Sequence, residues 1–299
     1  MCGTDRRQAF KPIAITGATG HLGRLVIDDL LSAGVPGTDL IATVRDPDKA
    51  LALTNAGVQV RVADYNDRDS MQAALVGVDK MLLISSPQIG SRVPQHRNIV
   101  DAATTAGVSH VAYTSVLQAD ISHIGLAAER YVTENAIASS GLDFTFLRNG
   151  WYWENFTTDV RGIGLASALQ TGTLLGAGGD GRADYAQAAA TELVTPGHIG
   201  RFYELGGERL TYAELAAIVS ETTGTTVVYE NLTEDQYRSA LVKAGLTDTA
   251  AKTVASYDSG IARGELDTQT GDLQTLIGRP LTPITEIIKE AHQRALAAR

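Results

Sequence analysis

Pro12–Ile13–Ala14–Ile15–Thr16–Gly17–Ala18–Thr19–Gly20–His21–Leu22–Gly23 decides the fold of this chain. An apolar run with strand character breaks into glycines at 17, 20 and 23, and a helical pattern begins at Leu22–Leu31. That order predicts a strand, a tight turn and the N-terminus of a helix. A helix N-terminus presents unpaired N–H groups and the positive end of the helix dipole, which together favour a phosphate. Glycines allow the turn, a close approach of backbone to pyrophosphate, and packing of helix on strand. The spacing is G-x-x-G-x-x-G rather than G-x-G-x-x-G. Its place after a buried strand and before an amphipathic helix therefore carries the reading more than the glycines do.

Outward from this stretch, strands alternate with helical patterns. Strands are expected at Leu40–Val44, Val58–Ala63, Lys80–Ile84, His110–Thr114 and Asp143–Leu147. Helices are expected at Asp48–Ala56, Arg68–Leu75, Gln95–Ala106 and Leu126–Ser139. Such alternation predicts an α/β fold, a Rossmann-type doubly wound parallel sheet with helices on both faces. Ligands of such sheets bind beyond the strand C-terminal ends, where the strand order reverses. The pattern changes after Arg148. Trp151–Leu175 is irregular, Gly176–Gly181 reads as a flexible loop, and Ala183–Leu193 is helical. A short strand at Arg201–Leu205 leads to a helix at Tyr212–Thr222, with Thr211 and Glu214 forming a capping box. Val227–Tyr229 reads as another strand, and helical patterns dominate from Leu232. The expected organisation is a frayed tail over 1–11, a nucleotide-binding domain over 12–149, and a smaller, mostly helical part over 150–299 that covers the substrate.

Bulk properties narrow the function. The 299 residues carry a net charge of −9, which disfavours non-specific binding to nucleic acid or anionic membranes. No apolar stretch approaches the length of a membrane span, so a soluble chain is expected. The single cysteine, Cys2, lies in the tail and excludes an internal disulfide, which suits the cytoplasm. No histidine–carboxylate spacing supports a metal and no G-x-S-x-G supports a hydrolase. His96 and His123 are candidates to line the cleft, whereas His110, His198 and His292 read as surface or strand-end residues.

Arg45 ends the second strand, where an arginine accommodates a ribose 2′-phosphate and an acidic residue instead bonds a 2′-hydroxyl. With Lys49 nearby it points to NADPH, against the adjacent Asp46. Asp64 and Tyr65 end the third strand as candidates for the adenine side, with helix capping as the other reading of Asp64. Ser85–Ser86 and Thr114–Ser115 end the fourth and fifth strands, either along the cofactor or as turn residues. Trp151, Tyr152 and Trp153, beside Asn149 and Gly150, supply flat walls and polar handles for an aromatic ligand, or a packing hinge.

Several segments carry a resemblance. They are Thr16–Gly23 (TGATGHLG), Val44–Arg45, Ala63–Tyr65 (ADY), Leu83–Ser86 (LISS), Pro94–Asn98 (PQHRN), Ala112–Ser115 (AYTS), Leu147–Tyr152 (LRNGWY) and Tyr203–Leu205 (YEL). Through them the chain resembles the NmrA-like group of atypical short-chain dehydrogenase/reductases. Within that group it is similar to the bacterial NAD(P)H:quinone oxidoreductases and to triphenylmethane dye reductase. The resemblance implies NADPH as cofactor and hydride transfer to a small, quinone-like aromatic acceptor. It places Gly17, Ala18, Thr19, Gly20, His21 and Leu22 on the pyrophosphate and Arg45 on the 2′-phosphate. Asp64, Tyr65, Ser85, Ser86 and Thr114 then follow the dinucleotide, and Asn149, Gly150, Trp151 and Tyr152 lie near the nicotinamide.

Two departures from the family pattern bear on chemistry. The Tyr-x-x-x-Lys of active short-chain dehydrogenases is replaced by Leu126–Ala127–Ala128–Glu129–Arg130. Without that tyrosine the expected acid–base and electrostatic groups are Arg130, Tyr152 and Ser115, and a quinone is the acceptor that best tolerates the loss. The stretch Gly178–Arg182 is short and leaves the acceptor's identity open. A cofactor-binding redox sensor without turnover, or reduction of imines or dyes, are the rival readings. Homo-oligomerisation is left open by the sequence.

Overall fold

A computed structural model describes residues 10–88, 90–157, 173–174 and 181–297. The expected frayed tail, Cys2 included, falls almost wholly outside the described residues, as does most of the irregular stretch and glycine loop over 151–181.

Strands β1 (Ile13–Ile15), β2 (Leu40–Val44), β3 (Gln59–Val62), β4 (Lys80–Leu83), β5 (His110–Val116), β6 (Asp143–Asn149) and β8 (Arg201–Leu205) form one sheet. Its order is β3-β2-β1-β4-β5-β6-β8. β1 pairs in parallel with β2 (Ile13 opposite Leu40) and with β4 (Ile13 opposite Lys80), β2 with β3, and β4 with β5. The chain runs outward from β1 through β2 to β3, then crosses back to β4 on the other side of β1. That reversal is the switch point at which ligands of open α/β sheets bind. β2 and β5 are buried at every residue, as a strand covered by helices on both faces must be. β3, at the edge, has only exposed and half-buried residues.

The described residues divide into two compact units. The first comprises residues 10–88, 90–114, 132–146 and 189–201; the second comprises residues 115–131, 147–157, 173–174, 181–188 and 202–297. In the first, α3 (Arg68–Ala74) and α4 (Arg92–Ala106) cover the sheet through Met71, Leu75, Ile99 and Ala103, all fully buried against Met81 and Val111. Asp67 caps α3 by accepting from the amides of Asp69 and Ser70. Asp64, the other candidate for a helix cap, does not cap α3. Asp64 instead makes a local turn, its carboxylate accepting from the amide and side chain of Asn66 at 2.8 Å.

The second unit is mostly helical. Trp153, only 1% exposed, sits among Leu215, Val219, Ile284 and Ile288. Of the two roles expected of it, a wall of the ligand site and packing, packing is the one observed: the indole is core. Helix α8 (Tyr212–Thr223) begins with the expected capping box of Thr211 and Glu214. Thr233 and Gln236 build a second box at α9 (Glu234–Lys243). α9 packs on α10 (Asp248–Ala262) through Tyr237, Leu241, Ala251 and Ala255.

Of the two readings of His110, surface or strand end, the second holds: it opens β5 but is 5% exposed, and its Nε2 lies 2.9 Å from Glu192 Oε1 and 3.0 Å from Thr145 Oγ1. Glu192 belongs to helix α7 (Arg182–Val194) and its side chain is fully buried.

Candidate functional site

The turn after β1 is built by backbone constraints. Gly17 adopts a φ of +60°, which side chains with a Cβ rarely take. Its carbonyl accepts from the Gly20 amide at 2.9 Å. A Cβ on Gly23 would stand 2.6 Å from Gly17 O and 2.9 Å from Ala18 Cα. Only glycine permits α1 (His21–Ser32) to start this close to the turn. The N-cap of α1 is Gly20, which has no side chain to cap the helix, and the first turn carries no acidic residue. The helix end thus keeps both its amide donors and its positive dipole end for a ligand.

The loops at the ends of β1 to β4 enclose a cavity of about 290 Å³ within the first unit. Gly17, Thr19 and Gly20 line it from the turn, Arg45 from the end of β2, Asp64 and Tyr65 from β3, and Ser85 and Ser86 from β4. Eight of the residues expected at the cofactor therefore meet at one place. Others do not line it. Ala18 is buried beneath the turn, Leu22 faces the core at 7% exposure, and His21 is exposed on the helix. Thr114 is 3% exposed; its hydroxyl accepts from the Ser85 amide at 2.9 Å and holds the β4 loop from behind.

Arg45 is exposed at the mouth of the cavity. Asp46, which could have opposed it, is occupied elsewhere. One carboxylate oxygen caps the following turn through the Asp48 amide, and the other pairs with Lys49 Nζ at 3.4 Å. Lys49 accordingly serves Asp46 and does not line the cavity. Tyr65 acts as a strut: its hydroxyl lies 2.7 Å from Thr16 Oγ1 and 3.0 Å from Ile84 O, joining the ends of β1, β3 and β4. Burial raises its pKa, so the phenol stays protonated.

The motif Pro94–Asn98 acquires a physical role here. Gln95 lines the cavity and donates to Asn66 Oδ1 at 3.1 Å, and Asn98 donates to the Tyr65 carbonyl at 3.0 Å. His96 does not line the cleft as expected; it is 1% exposed and packs behind the β4 loop. Its Nε2 accepts from the Ser86 amide, so Nδ1 carries the proton toward Thr133 Oγ1 at 2.9 Å. Ser86 is held from three sides, its carbonyl accepting from Arg92 and its hydroxyl from the Gln88 amide. By contrast, Ser85 Oγ is buried at the cavity without a hydrogen-bond partner.

In the second unit, Arg148 donates to Asp120 and Glu204, each at 2.8 Å, and anchors the end of β6. Asn149 follows, its amide nitrogen donating to the Tyr152 hydroxyl at 2.9 Å and its Oδ1 buried without a partner. A Cβ on Gly150 would stand 2.8 Å from the Tyr185 hydroxyl, so the segment passes here only as glycine. Tyr152 lies between the Tyr185 ring at 5.0 Å and the Arg182 guanidinium at 5.2 Å. Burial raises the Tyr152 pKa, while the Asn149 hydrogen bond and the charges of Arg130 and Arg182 pull it down. Trp151 meets Tyr257 edge-on and lines, with Gly150, Gly206 and Arg209, a separate cavity of about 150 Å³.

Arg130 donates to the Ser115 carbonyl at 3.0 Å. Ser115 is 1% exposed and its own hydroxyl makes no hydrogen bond. His123 is exposed, its amide donating to Glu265. Among the described residues no group of three metal-ligating side chains occurs, and no helix is long and apolar enough to cross a membrane.

Known proteins share this architecture. Quinone oxidoreductase 2 of Escherichia coli is 46% identical over 92% of this chain and 97% of its own. The crystal structure of the NADPH-dependent quinone oxidoreductase from E. coli complexed with NADPH superposes with a TM-score of 0.87, covering 93% of this chain and 99% of that one. Citrobacter sp. triphenylmethane reductase complexed with NADP(H) gives the same TM-score at 40% identity, with 93% and 99% coverage. An NAD(P)H azoreductase of Xenophilus azovorans is 30% identical over 95% of this chain and 99% of its own. The sequence profile of the NmrA-like family matches residues 10–272, and with the sheet order and glycine turn above, the chain belongs to the NmrA-like family.

Proposed function

We propose that this protein is an NADPH-dependent oxidoreductase that reduces a quinone or a similar conjugated aromatic acceptor. The observation that carries the proposal is the meeting, in one cavity, of the uncapped helix end at Gly20, the exposed guanidinium of Arg45 and the unpartnered hydroxyl of Ser85. These groups fit a dinucleotide phosphate. The helix end and glycine amides suit the pyrophosphate, Arg45 the 2′-phosphate, and Ser85 Oγ a ribose or phosphate oxygen. NADPH held there supplies a hydride. Similarity to the E. coli quinone oxidoreductase and the Citrobacter dye reductase supports both the cofactor and the acceptor class.

The remaining chemistry falls to the chain's own side chains. A quinone that accepts a hydride becomes a hydroquinone anion, which is resonance-stabilised and takes its proton from water. A dedicated proton donor is thus less necessary than in alcohol–ketone exchange. We assign Tyr152, oriented by Asn149 and polarised by Arg130 and Arg182, to offset the developing negative charge and to donate a hydrogen bond. Arg130 acts through its charge while its Nη1 holds the Ser115 carbonyl. The ring of Trp151 is assigned to the flat acceptor. Ser115, buried and aimed at no partner, is given a packing role in place of a catalytic one. A single cysteine suits work in the reducing cytoplasm.

Purified protein is expected to oxidise NADPH when given benzoquinones or naphthoquinones; saturable NADPH binding with no turnover on any of them, or on cationic dyes, would contradict the proposal and favour a sensor. Arg45→Ala is expected to weaken NADPH by about tenfold or more, the worth of a charge-assisted hydrogen bond, while leaving NADH unchanged. Equal losses for the two nucleotides would remove Arg45 from the 2′-phosphate. Tyr152→Phe is expected to lower kcat about tenfold with an unchanged NADPH dissociation constant, and an unaltered kcat would exclude Tyr152 from the chemistry.

A further inference from the structure

A cavity of about 120 Å³ lies in the second unit, walled by α8, α9, α10 and strand β9 (Val228–Tyr229), and no step above uses it. Tyr212 and Tyr229 line it and stack on one another, centroids 5.0 Å apart and planes 29° apart, so their facing sides cover each other and only their outer sides and edges are left for a ligand. Tyr237 adds a third ring and is 7% exposed. Asp258 joins them from α10, its Oδ1 accepting from the Tyr212 hydroxyl at 2.8 Å. Burial pushes the Asp258 carboxyl up to about 6, against the hydrogen bonds of Tyr212 and Tyr237, which pull it down. Glu234 lines the same space and accepts from Ser259 Oγ at 2.6 Å. Among the described lining residues there is no lysine, arginine or histidine.

The kind of cation that suits this pocket follows from its chemistry. The hydroxyls of Tyr212 and Tyr229 are engaged with Asp258 and Asn231. What the tyrosines offer is ring face, with its negative quadrupole, and not oxygen ligands for a metal. Ring faces around a cation are the recognised means of holding alkylated ammonium groups, which bring their own apolar shell into a desolvated space. Asp258, half-buried and bonded by the hydroxyls of Tyr212 and Tyr237, supplies the negative charge, and a cation that needs little of its own water suits it best.

We propose that the Tyr212–Tyr229–Tyr237–Asp258 pocket is a second ligand site that binds a small, fully alkylated ammonium group. The site is separate in its residues from the nucleotide cavity and independent of the hydride chemistry.

The probe is tetramethylammonium chloride, titrated calorimetrically into the full-length protein at constant ionic strength set by potassium chloride. Saturable binding is expected, weakened about tenfold by Asp258→Asn and by Tyr229→Leu, with quinone reduction unchanged in both variants. Tyr229 is half-buried, so Tyr229→Leu keeps the test decisive if Asp258→Asn disturbs folding. Neopentyl alcohol, a neutral ligand of similar shape, is expected not to saturate. Absence of saturable tetramethylammonium binding, equal binding of the neutral alcohol, or unchanged affinity in Tyr229→Leu would each overturn the proposal.

Discussion

The first turn of α1 rests on the carbonyl of Gly17, and this contact governs the site. With no side chain at 23, the helix starts where a Cβ would meet Gly17 O at 2.6 Å. With none at 20, its end stays uncapped. With none at 17, the chain turns through a positive φ directly from β1. Each glycine removes a different obstacle, and together they leave amide donors facing the cavity at the sheet's switch point. The fully buried residues of β1, β2 and β4 hold that turn in place, and Tyr65, tied to Thr16 and Ile84, ties the neighbouring loop to it.

Charge is distributed to match. Asp46 is drawn away from Arg45 by its own turn and by Lys49, which leaves the guanidinium exposed at the cavity mouth. The β4 loop is fixed by Thr114, His96 and Arg92, so that Ser85 Oγ is the group there left for a ligand. On the second unit, Arg148 is neutralised by Asp120 and Glu204 and does the anchoring. Tyr152 is oriented by Asn149, and the charges of Arg130 and Arg182 offset part of the burial that raises its pKa.

Much of this was legible in the sequence, and the reason differs by element. The bounds of β2 and of Arg201–Leu205 are legible to the residue; an apolar run interrupted only by Thr43, as in β2, permits little else between helices. The glycine turn was readable because three positions needed the absence of a side chain. Tertiary pairing was not readable. The partner of His110 is Glu192, 82 residues away, and nothing local to either announces it. Trp153 looked like its aromatic neighbours but turns into the core of the second unit. Gln95 and Asn98 stood out only by resemblance, because their task is to hold loops that follow other strands.

The central proposed contact is that of Arg45 with a 2′-phosphate beside the glycine turn. Phosphorus NMR of NADP+ titrated with pH, free and bound to the protein, reads that contact directly. A guanidinium against the phosphate favours its dianion, so the midpoint of the 2′-phosphate titration should fall on binding. An identical midpoint for free and bound nucleotide would contradict it.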